Sequence, residues 1–308
     1  MVPGEFRGDK NCMSSFVDVS ARVALQLSGS DSLDFIQRIS TNDVATLQLG
    51  QFRQTVLTSE KGRIIDVLSV CRADESRLLL LGQSRESTQL ISWIEKYIIM
   101  DDIAIEELTS SLSQYLMYGD NVVDQVQSAS FSSHEVIVVS EDFGTARLVR
   151  VVSPLELKSS VEETLASRGA VRRSMEEFEE YRILKGIPGA KTELTPQYNP
   201  LEANLGSLIS WTKGCYIGQE VIARLDTYKK VQRHLVTMSL SDLPINLPIP
   251  FEDEDGEAGV ITSATRVASK GEIRGIGYLR TSGSDRALTH SFTKDGKKVP
   301  IQIHSVVL

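Results

Sequence analysis

The sequence runs Trp211-Thr-Lys-Gly-Cys-Tyr-Ile-Gly-Gln-Glu-Val-Ile-Ala-Arg-Leu-Asp226 through a cysteine that lies between two glycines. The pair Lys213-Gly214 predicts a turn, because glycine tolerates backbone angles that other residues avoid. Apolar residues recur at four-residue steps from Ile217 to Leu225, which predicts a short amphipathic helix. Cys215 would then lie at or just before the N-terminus of that helix.

Two physical effects favour a reactive thiol at Cys215. The exposed N–H groups and the dipole of a helix N-terminus stabilise an anion, and Lys213 adds a positive charge two residues away. Both effects promote the thiolate form of a cysteine, so we expect a reactive or ligand-contacting thiol. The alternative is a small buried apolar residue in a corner between a loop and a helix. Such a corner has no need of the polar and backbone-exposing neighbours found here, which are Gly214, Gly218, Gln219, Glu220 and Arg224.

The order of strand and helix patterns indicates an α+β protein with a separate C-terminal unit. Alternating residues from Phe16 to Ser28 predict strand structure, and two later strand–helix–strand groups suggest two similar split-βαβ units. After Leu225 only strands are expected, which indicates a small all-β barrel of about 80 residues. The expected barrel strands are 231–240, 259–263, 273–279 and 299–307. We therefore separate a first domain, 14–228, from a barrel domain, 229–308.

A long loop precedes the cysteine motif. The capping box Ser174-Met-Glu-Glu177 begins a helix over 174–184, and prolines and glycines interrupt the chain from Ile187 to Gly206. A loop of about 20 residues inside a compact domain is unusual and often functional. Because this loop runs directly into the motif, we expect one site to use both.

The motif resembles the signature of a known family. Lys213-Gly-Cys-Tyr-Ile-Gly-Gln-Glu220, followed by Arg224, is similar to the signature of the YgfZ/Iba57 family, folate-binding proteins related to the T-protein (aminomethyltransferase) of the glycine cleavage system. The resemblance implies a tetrahydrofolate-dependent role in iron–sulfur cluster assembly or repair. It also implies an α+β fold of three lobes around a central folate-binding opening, with two ferredoxin-like units and a β-barrel. The other segments that carry it are Val17-Asp-Val-Ser20, Gly29-Ser-Asp31, Phe35-Ile36, Thr41-Asn-Asp43, Thr58-Ser-Glu-Lys-Gly-Arg63, Pro200-Leu-Glu-Ala-Asn-Leu205, Gly259-Val-Ile-Thr-Ser263 and Gly275-Ile-Gly-Tyr-Leu279.

The resemblance also implies roles for individual residues. Cys215 would be the essential thiol, and Lys213 would favour its reactive form. The residues expected to contact the folate are Asp66, Glu202, Arg224, Gly214, Gly218, Gln219 and Glu220.

Three of these side chains have a physical reason to bind a ligand, and each has an ordinary alternative. Asp66 lies in an apolar strand, where a carboxylate must find partners or shift its pKa, unless it faces water from an edge strand. The Glu202 carboxylate suits the aminopyrimidine edge of a pterin, which donates two parallel hydrogen bonds, unless it is an ordinary residue at a helix start. Arg224 suits a carboxylate such as the glutamate tail of folate, unless it lies on a solvated helix face.

The sequence departs from the aminomethyltransferases at three positions. They carry a second Asp where this chain has Val67 and a Glu where it has Lys185, and they lack the cysteine found here at position 215. These departures favour a tetrahydrofolate-binding protein that assists iron–sulfur client enzymes over the glycine-cleavage reaction. A folate-dependent aminomethyl or one-carbon transferase is the alternative, with Asp66 as its carboxylate. A folate-binding module without chemistry is a third.

Composition argues against several classes of protein. The chain has 308 residues with a net charge of −8 and no apolar run of about 18 residues, so we expect no nucleic-acid-binding surface over the whole chain and no membrane span. Cys12, Cys71 and Cys215 are widely spaced and the histidines do not cluster, so we expect no disulfide, no metal site and a reducing compartment. The first 15 residues lack the apolar segment of a signal peptide. We expect a cytoplasmic monomer, or an organellar protein if a presequence has been removed, with iron–sulfur client or assembly proteins as partners.

Overall fold

Two five-stranded sheets, a closed barrel and six α-helices make up the described structure. It is a computed structural model that describes residues 14–119, 122–127, 131, 135–144, 146–281 and 289–306. The strands are β1 (Ser15–Asp18), β2 (Ala24–Ser28), β3 (Phe52–Thr58), β4 (Ile64–Arg72), β5 (Arg77–Gly82), β6 (Ala104–Glu107), β7 (Leu112–Tyr118), β8 (Ile137–Asp142), β9 (Arg147–Pro154), β10 (Val171–Arg172), β11 (Arg233–Leu240), β12 (Ile249–Asp253), β13 (Gly256–Arg266), β14 (Ile273–Arg280), β15 (His290–Lys294) and β16 (Lys297–Val306). The helices are α1 (Ser32–Ile39), α2 (Ser87–Glu95), α3 (Val122–Gln127), α4 (Lys158–Ser167), α5 (Met175–Lys185) and α6 (Gln219–Thr227). The predicted α+β class and C-terminal barrel are confirmed.

The first sheet has the strand order β3-β4-β5-β2-β6 and carries α1 and α2 on one face. Side chains of a strand point alternately to its two faces. Leu68 and Val70 of β4 therefore pack among the residues of α1 and α2, such as Phe35 and Leu90. Asp66 belongs to the same alternating set, so it lies on the helix-covered face of an interior strand.

The second sheet has the order β10-β1-β7-β9-β8, with α3 and α4 packed on its outer face. Its inner face meets the inner face of the first sheet, where Val139 and Val152 pack against Leu79 and Leu81. The two sheets therefore form the middle layers of a four-layer stack. Between them lies a fully buried ion pair, in which Arg150 Nη2 is 2.7 Å from Glu141 Oε1.

Strand structure is predicted from Phe16 to Ser28, and the structure has two strands there that belong to different sheets. β1 pairs with β7 and β10 in the second sheet, whereas β2 pairs with β5 and β6 in the first. The turn between them falls at residues 19–23. Alternation gives the faces of a strand but not its partner, so the sequence pattern does not reveal this crossing between the two units.

The C-terminal barrel closes in the order β11-β14-β13-β12-β15-β16. The four strands expected from sequence are present as β11, β13, β14 and β16, whereas β12 and β15 went unpredicted. A separate cluster joins the barrel to both sheets through residues of α5 and of the loop after it. This cluster includes Val56, Val17, Phe178, Leu194, Tyr198, Leu235 and Tyr278. The three units therefore meet around the loop that follows α5.

Candidate functional site

The loop after α5 lines three neighbouring cavities at the junction of the units. The first, the barrel cavity of about 650 Å³, lies between α5, the loop and β13. The second, the arginine cavity of about 290 Å³, is lined by Arg22, Gln83, Arg85, Phe143 and parts of α5 and the loop. The third, the Asp66 cavity of about 280 Å³, lies between β4, α2 and the loop. Lys191 lines all three, so the loop is their common wall.

Asp66 is a buried carboxylate that lines the third cavity. Its side chain is 3% exposed, so the alternative of an edge-strand residue facing water is wrong. Asp66 Oδ1 accepts hydrogen bonds from the backbone N–H groups of Val67 at 2.8 Å and of Gln83 and Ser84 at 3.3 Å. Burial raises the pKa of Asp66 to about 6, although these donors and the Arg150 guanidinium oppose the rise. A carboxylate with that pKa is mostly ionised at neutral pH and is basic enough to accept a proton.

A glycine makes room for this carboxylate. A Cβ atom on Gly82, at the end of β5, would lie 2.7 Å from Asp66 Oδ2. Real Cβ atoms do not approach an oxygen so closely, so a larger residue at position 82 would displace the carboxylate. The position of Asp66 in the cavity therefore depends on the neighbouring strand as well as on its own.

The walls of the Asp66 cavity are mostly apolar, with a few polar groups. Apolar surface comes from residues such as Leu90, Trp93 and Pro196, and polar atoms from Ser84, Lys191 and Thr195. Thr195 Oγ1 is buried and has no hydrogen-bond partner among the described residues. A buried hydroxyl without a partner is unfavourable by about 1–3 kcal/mol. The cavity wall therefore includes an acceptor carboxylate and a threonine whose buried hydroxyl has no hydrogen-bond partner among the described residues.

Glu202 is buried, but it lines none of the three cavities. Glu202 Oε2 accepts a hydrogen bond from Asn199 N at 3.1 Å and lies 3.5 Å from Arg63 Nη1. Its backbone carbonyl accepts from Leu235 N of β11 at 3.1 Å. Burial raises the pKa of this carboxyl group. The structure therefore places Glu202 where the β3–β4 turn, the loop and the barrel meet.

Lys213 binds the C-terminal end of α1. Its Nζ donates to the carbonyl oxygens of Gln37 at 2.6 Å, Ser40 at 2.8 Å and Asn42 at 2.7 Å. An ammonium group has three donors, and all three are used here. Burial lowers the pKa of Lys213 to about 8, while the three carbonyl groups and the dipole of the helix C-terminus favour the protonated form. The Lys213 ammonium group is therefore held at the end of α1, and its action on the neighbouring thiol stays a prediction.

Cys215 is exposed on the loop in front of α6. The helix begins at Gln219, two residues later than predicted, and its N-cap is Gly218. Three residues therefore separate the thiol from the first turn, and an effect of the helix N-terminus on the thiol stays a prediction. The alternative of a buried corner residue is wrong, because the side chain is exposed.

The rest of the motif packs on the turn between β3 and β4. Gly218 has a φ of 83°, and a Cβ atom there would lie 2.6 Å from Ser59 O and 2.8 Å from Thr58 Oγ1. Thr58 Oγ1 also donates to Ile217 O at 2.6 Å. The segment 58–63 and the cysteine motif, which are far apart in sequence, are therefore in direct contact. Gly214 has no atom within 4 Å of where a Cβ would stand.

The polar residues of α6 face away from the cavities. Arg224 and Glu220 are 67% and 87% exposed and lie 3.7 Å apart, while Gln219 is half-buried. On the opposite face Ile222 packs with Tyr216. None of the three polar residues lines any of the cavities, so Arg224 lies on a solvated helix face, the ordinary alternative for this residue.

Sequence reasoning missed charged and polar residues between the sheets and along the cavity walls. Arg22, Arg85, Lys191 and Thr195 all line cavities. A usable signal existed only for the buried pair Glu141 and Arg150, since both interrupt apolar strands. The others lie in turns or loops, where polar residues are ordinary.

None of the described helices combines the length and apolar character that crossing a bilayer requires. No three His, Cys, Asp or Glu side chains come together as metal ligands in the described ranges. Cys12 and His134 lie outside them.

Comparison with known proteins points to one superfamily. The family model described as the GCVT N-terminal domain matches residues 12–150. A putative chloroplastic transferase of Arabidopsis thaliana is 27% identical over 94% of this chain and 72% of its own length. An aminomethyltransferase of Listeria monocytogenes is 22% identical over 94% of this chain and 82% of its own length. An aminomethyltransferase of Halalkalibacterium halodurans is 23% identical over 87% of this chain and 79% of its own length.

A solved structure has the same fold. The glycine cleavage system aminomethyltransferase T from Bartonella henselae matches with a TM-score of 0.80 at 19% identity, over 96% of this chain and 86% of that chain. The two sheets and the C-terminal barrel described above are therefore the aminomethyltransferase fold. Together with the match to the GCVT N-terminal domain, these relatives support a place for this chain in the T-protein superfamily.

Proposed function

We propose that this chain binds tetrahydrofolate in the Asp66 cavity and acts as a folate-dependent one-carbon transferase. The observation that carries the proposal is the buried Asp66 carboxylate, which has a raised pKa and lines a mostly apolar cavity. The relatives named as aminomethyltransferases support the class of reaction. Groups with strongly shifted pKa values in a cavity are characteristic of functional sites.

The cavity residues suit a reduced pterin. The Trp93 ring and the neighbouring apolar side chains favour a flat heterocycle. The Asp66 carboxylate would accept a hydrogen bond from a ring or exocyclic N–H group. Thr195 Oγ1, which lacks a partner among the described residues, would make a second polar contact. The Asp66 carboxylate and the Thr195 hydroxyl would each gain a hydrogen-bond partner when such a ligand is bound.

Asp66 has the properties of a proton acceptor in this site. When bound, tetrahydrofolate supplies the nitrogen atoms that accept a one-carbon unit. Because the pKa of Asp66 is about 6, its carboxylate is mostly ionised at neutral pH yet basic enough to take a proton from a nearby N–H group. The mostly apolar walls strengthen the interaction of that carboxylate with a bound partner.

Calorimetric titration with tetrahydrofolate tests the proposal. We expect wild type to bind and Asp66→Asn to bind poorly. Thr195→Val keeps the shape of the side chain but removes the hydroxyl. It should weaken binding about tenfold, which corresponds to a loss of about 1.4 kcal/mol of binding free energy. Thr88→Val is the matched control, because Thr88 is exposed on α2 and does not line the cavity. Absence of binding by wild type, or equal binding by all four proteins, would contradict the proposal.

A second function is supported by the exposed thiol of Cys215. The loop that carries it is fixed by the three hydrogen bonds of Lys213 and by the packing of Gly218. The resemblance of this motif to the YgfZ/Iba57 family implies assistance to iron–sulfur cluster assembly or repair, with client enzymes or assembly proteins as partners. Cys215 lines none of the three cavities, so the thiol and the folate site would act as separate parts. The chloroplastic relative supports an organellar compartment alongside the expected cytoplasmic one.

The two functions are separated by comparing variants in cells and in vitro. If the second function holds, Cys215→Ser lowers the activity of iron–sulfur enzymes in cells and leaves tetrahydrofolate affinity unchanged. Asp66→Asn lowers both the activity of iron–sulfur enzymes in cells and the affinity for tetrahydrofolate. Full cellular function of Cys215→Ser would rule out the thiol's role, and turnover of a methylamine donor with tetrahydrofolate by the purified protein would favour the transferase alone.

A further inference from the structure

The arginine cavity has more positive than negative charge along its walls. Four cationic side chains line it against one carboxylate, Glu179. Two of the cations already have carboxylate partners. Arg182 pairs with Glu179 at 2.6 Å and with Glu193 at 3.0 Å, and Lys191 pairs with Glu86 at 2.9 Å. The charges without a carboxylate partner among the described residues belong to Arg22 and Arg85.

Arg22 is a half-buried cation that forms no ion pair with any of the described residues. Among the described residues its one hydrogen bond runs from Nη1 to Gln83 Oε1 at 2.5 Å, and no carboxylate oxygen lies within 4.0 Å of its guanidinium. Burial and the nearby Arg150 guanidinium lower the pKa of Arg22 to about 10, against the opposing pull of Glu141 and Asp66. The direction of this shift means that an added anion would stabilise the charged form.

Arg85 extends the same positive surface towards solvent. It is exposed, and in the described part of the chain it has no hydrogen-bond or ion-pair partner. Exposed arginines are common and by themselves indicate nothing. Here the side chain lines the same cavity as Arg22, and apolar residues such as Phe143 and Phe178 form part of the wall. A charge-assisted hydrogen bond is strengthened when water is partly excluded in this way.

The arginine cavity adjoins the Asp66 cavity across one short segment. Gln83 and Arg85 line the first, whereas Ser84, between them, lines the second and donates to Asp66. Ala190 and Lys191 line both cavities. A ligand held at Asp66 therefore has an adjoining cationic cavity for a negatively charged arm.

We propose that Arg22 and Arg85 form the subsite for the carboxylates of the ligand's glutamate tail. This inference rests on the proposed binding of tetrahydrofolate at Asp66. A guanidinium group presents paired N–H donors that match a carboxylate, and the tail carboxylates are the only fixed anions of a folate. The assignment replaces Arg224, which lies on the exposed face of α6 outside the cavities.

The test compares tetrahydrofolate with a reduced pterin that lacks both its aminobenzoyl group and its glutamate tail. Tetrahydrofolate and 6-methyltetrahydropterin, which lacks the tail, are titrated by calorimetry into wild type, Arg85→Gln and Arg22→Lys. We expect Arg85→Gln to bind tetrahydrofolate about tenfold more weakly and the tail-less pterin as wild type does. Arg22→Lys should behave similarly, because it keeps the charge but loses the paired donors. Arg77→Gln is the matched control, since Arg77 lies at the opposite end of β5 and pairs with Asp74.

The outcomes separate this proposal from the one on which it rests. Equal affinity of wild type and Arg85→Gln for tetrahydrofolate would overturn the subsite and leave the Asp66 site intact. An equal loss for both ligands would also overturn it, because Arg85 would then act on the shape of the pocket. A selective loss in Arg224→Gln, with none in Arg85→Gln, would assign the tail to α6 instead. Failure of wild type to bind either ligand would overturn both proposals.

Discussion

Replacing Asp66 by asparagine is expected to change how the stability of the protein depends on pH. The wild-type side chain is buried at 3% exposure, and its pKa rises from 3.8 to about 6 on folding. Asparagine keeps an acceptor oxygen for the backbone donors of Gln83 and Ser84 but carries no titrating proton. The difference between the two proteins therefore isolates this one ionisation.

The sign and size follow from proton linkage. Between pH 3.8 and about 6 the folded wild type binds more protons than the unfolded chain, so its free energy of unfolding falls as the pH rises. The contribution is complete below the unfolded pKa and is lost as the pH rises through the folded one. A shift of about two units corresponds to about 3 kcal/mol. Roughly 2 kcal/mol of this is lost between about pH 4.5 and 7.5.

Urea unfolding followed by tryptophan fluorescence measures the effect. Trp93 lines the Asp66 cavity, and a Trp211→Phe background leaves it as the only fluorophore of its type. The free energy of unfolding of wild type and Asp66→Asn is measured at several pH values across that range. We expect the stability of Asp66→Asn relative to wild type to increase by roughly 2 kcal/mol from the acidic to the neutral end. A difference that does not vary with pH would refute the argument that a buried, ionised carboxylate lies in this cavity.

Three further predictions concern parts of the structure that hold the site. Lys213→Met should lower the free energy of unfolding by about 2 kcal/mol, because it leaves three carbonyl groups at the end of α1 without their donors. Lys229→Met, at an exposed position, is the control. An equal effect of both substitutions would contradict the role of Lys213 at the end of α1. Gly218→Ala should lower the free energy of unfolding by about 1–3 kcal/mol, because Gly218 has a positive φ and lies close to the Ser59 carbonyl oxygen. Gly214→Ala should leave the thermal unfolding almost unchanged, because Gly214 has open space around it. Glu193→Gln should lower the free energy of unfolding by about 3 kcal/mol. The reason is that this fully buried carboxylate accepts hydrogen bonds from Arg182 and from Thr262 and Ser263 of the barrel. Unchanged unfolding in urea would exclude a role of Glu193 in joining the barrel to α5.

Local signals in the sequence predicted the elements whose stability is local. The capping box at Ser174 and Glu177 is present, with Glu177 N donating to Ser174 Oγ and Ser174 N to the Glu177 carboxylate. The four barrel strands with clear apolar patterns are also present. The missed strands have weaker patterns. β12 contains Pro250 and two acidic residues, and β15 is a short strand of mixed character. Their strand structure depends on neighbours that close the barrel.

The start of α6 shows why an apolar pattern misplaces a boundary. Ile217 fits the four-residue repeat, but it packs against the first sheet's cluster while Gly218 adopts a left-handed conformation. The helix therefore begins only at Gln219. The contact of Gly218 with the β3–β4 turn sets this boundary, and residues more than 150 positions away in the sequence make that contact, as in the hydrogen bond from Thr58 to Ile217.

The sequence by itself determined the α+β class, the C-terminal barrel and a cysteine motif preceding a short helix. Those features depend on residue preferences and spacing within short segments, which the sequence displays directly. Only the tertiary structure decided that Asp66 is buried beside a cavity, that the Lys213 ammonium binds the end of α1 and that Arg22 and Arg85 share a wall. The physical reason is that burial, pKa and hydrogen-bond partners depend on groups brought together by the packing of sheets and barrel. Side chains from β4, the segment after β5 and the loop after α5 are far apart in sequence and meet only in the folded structure.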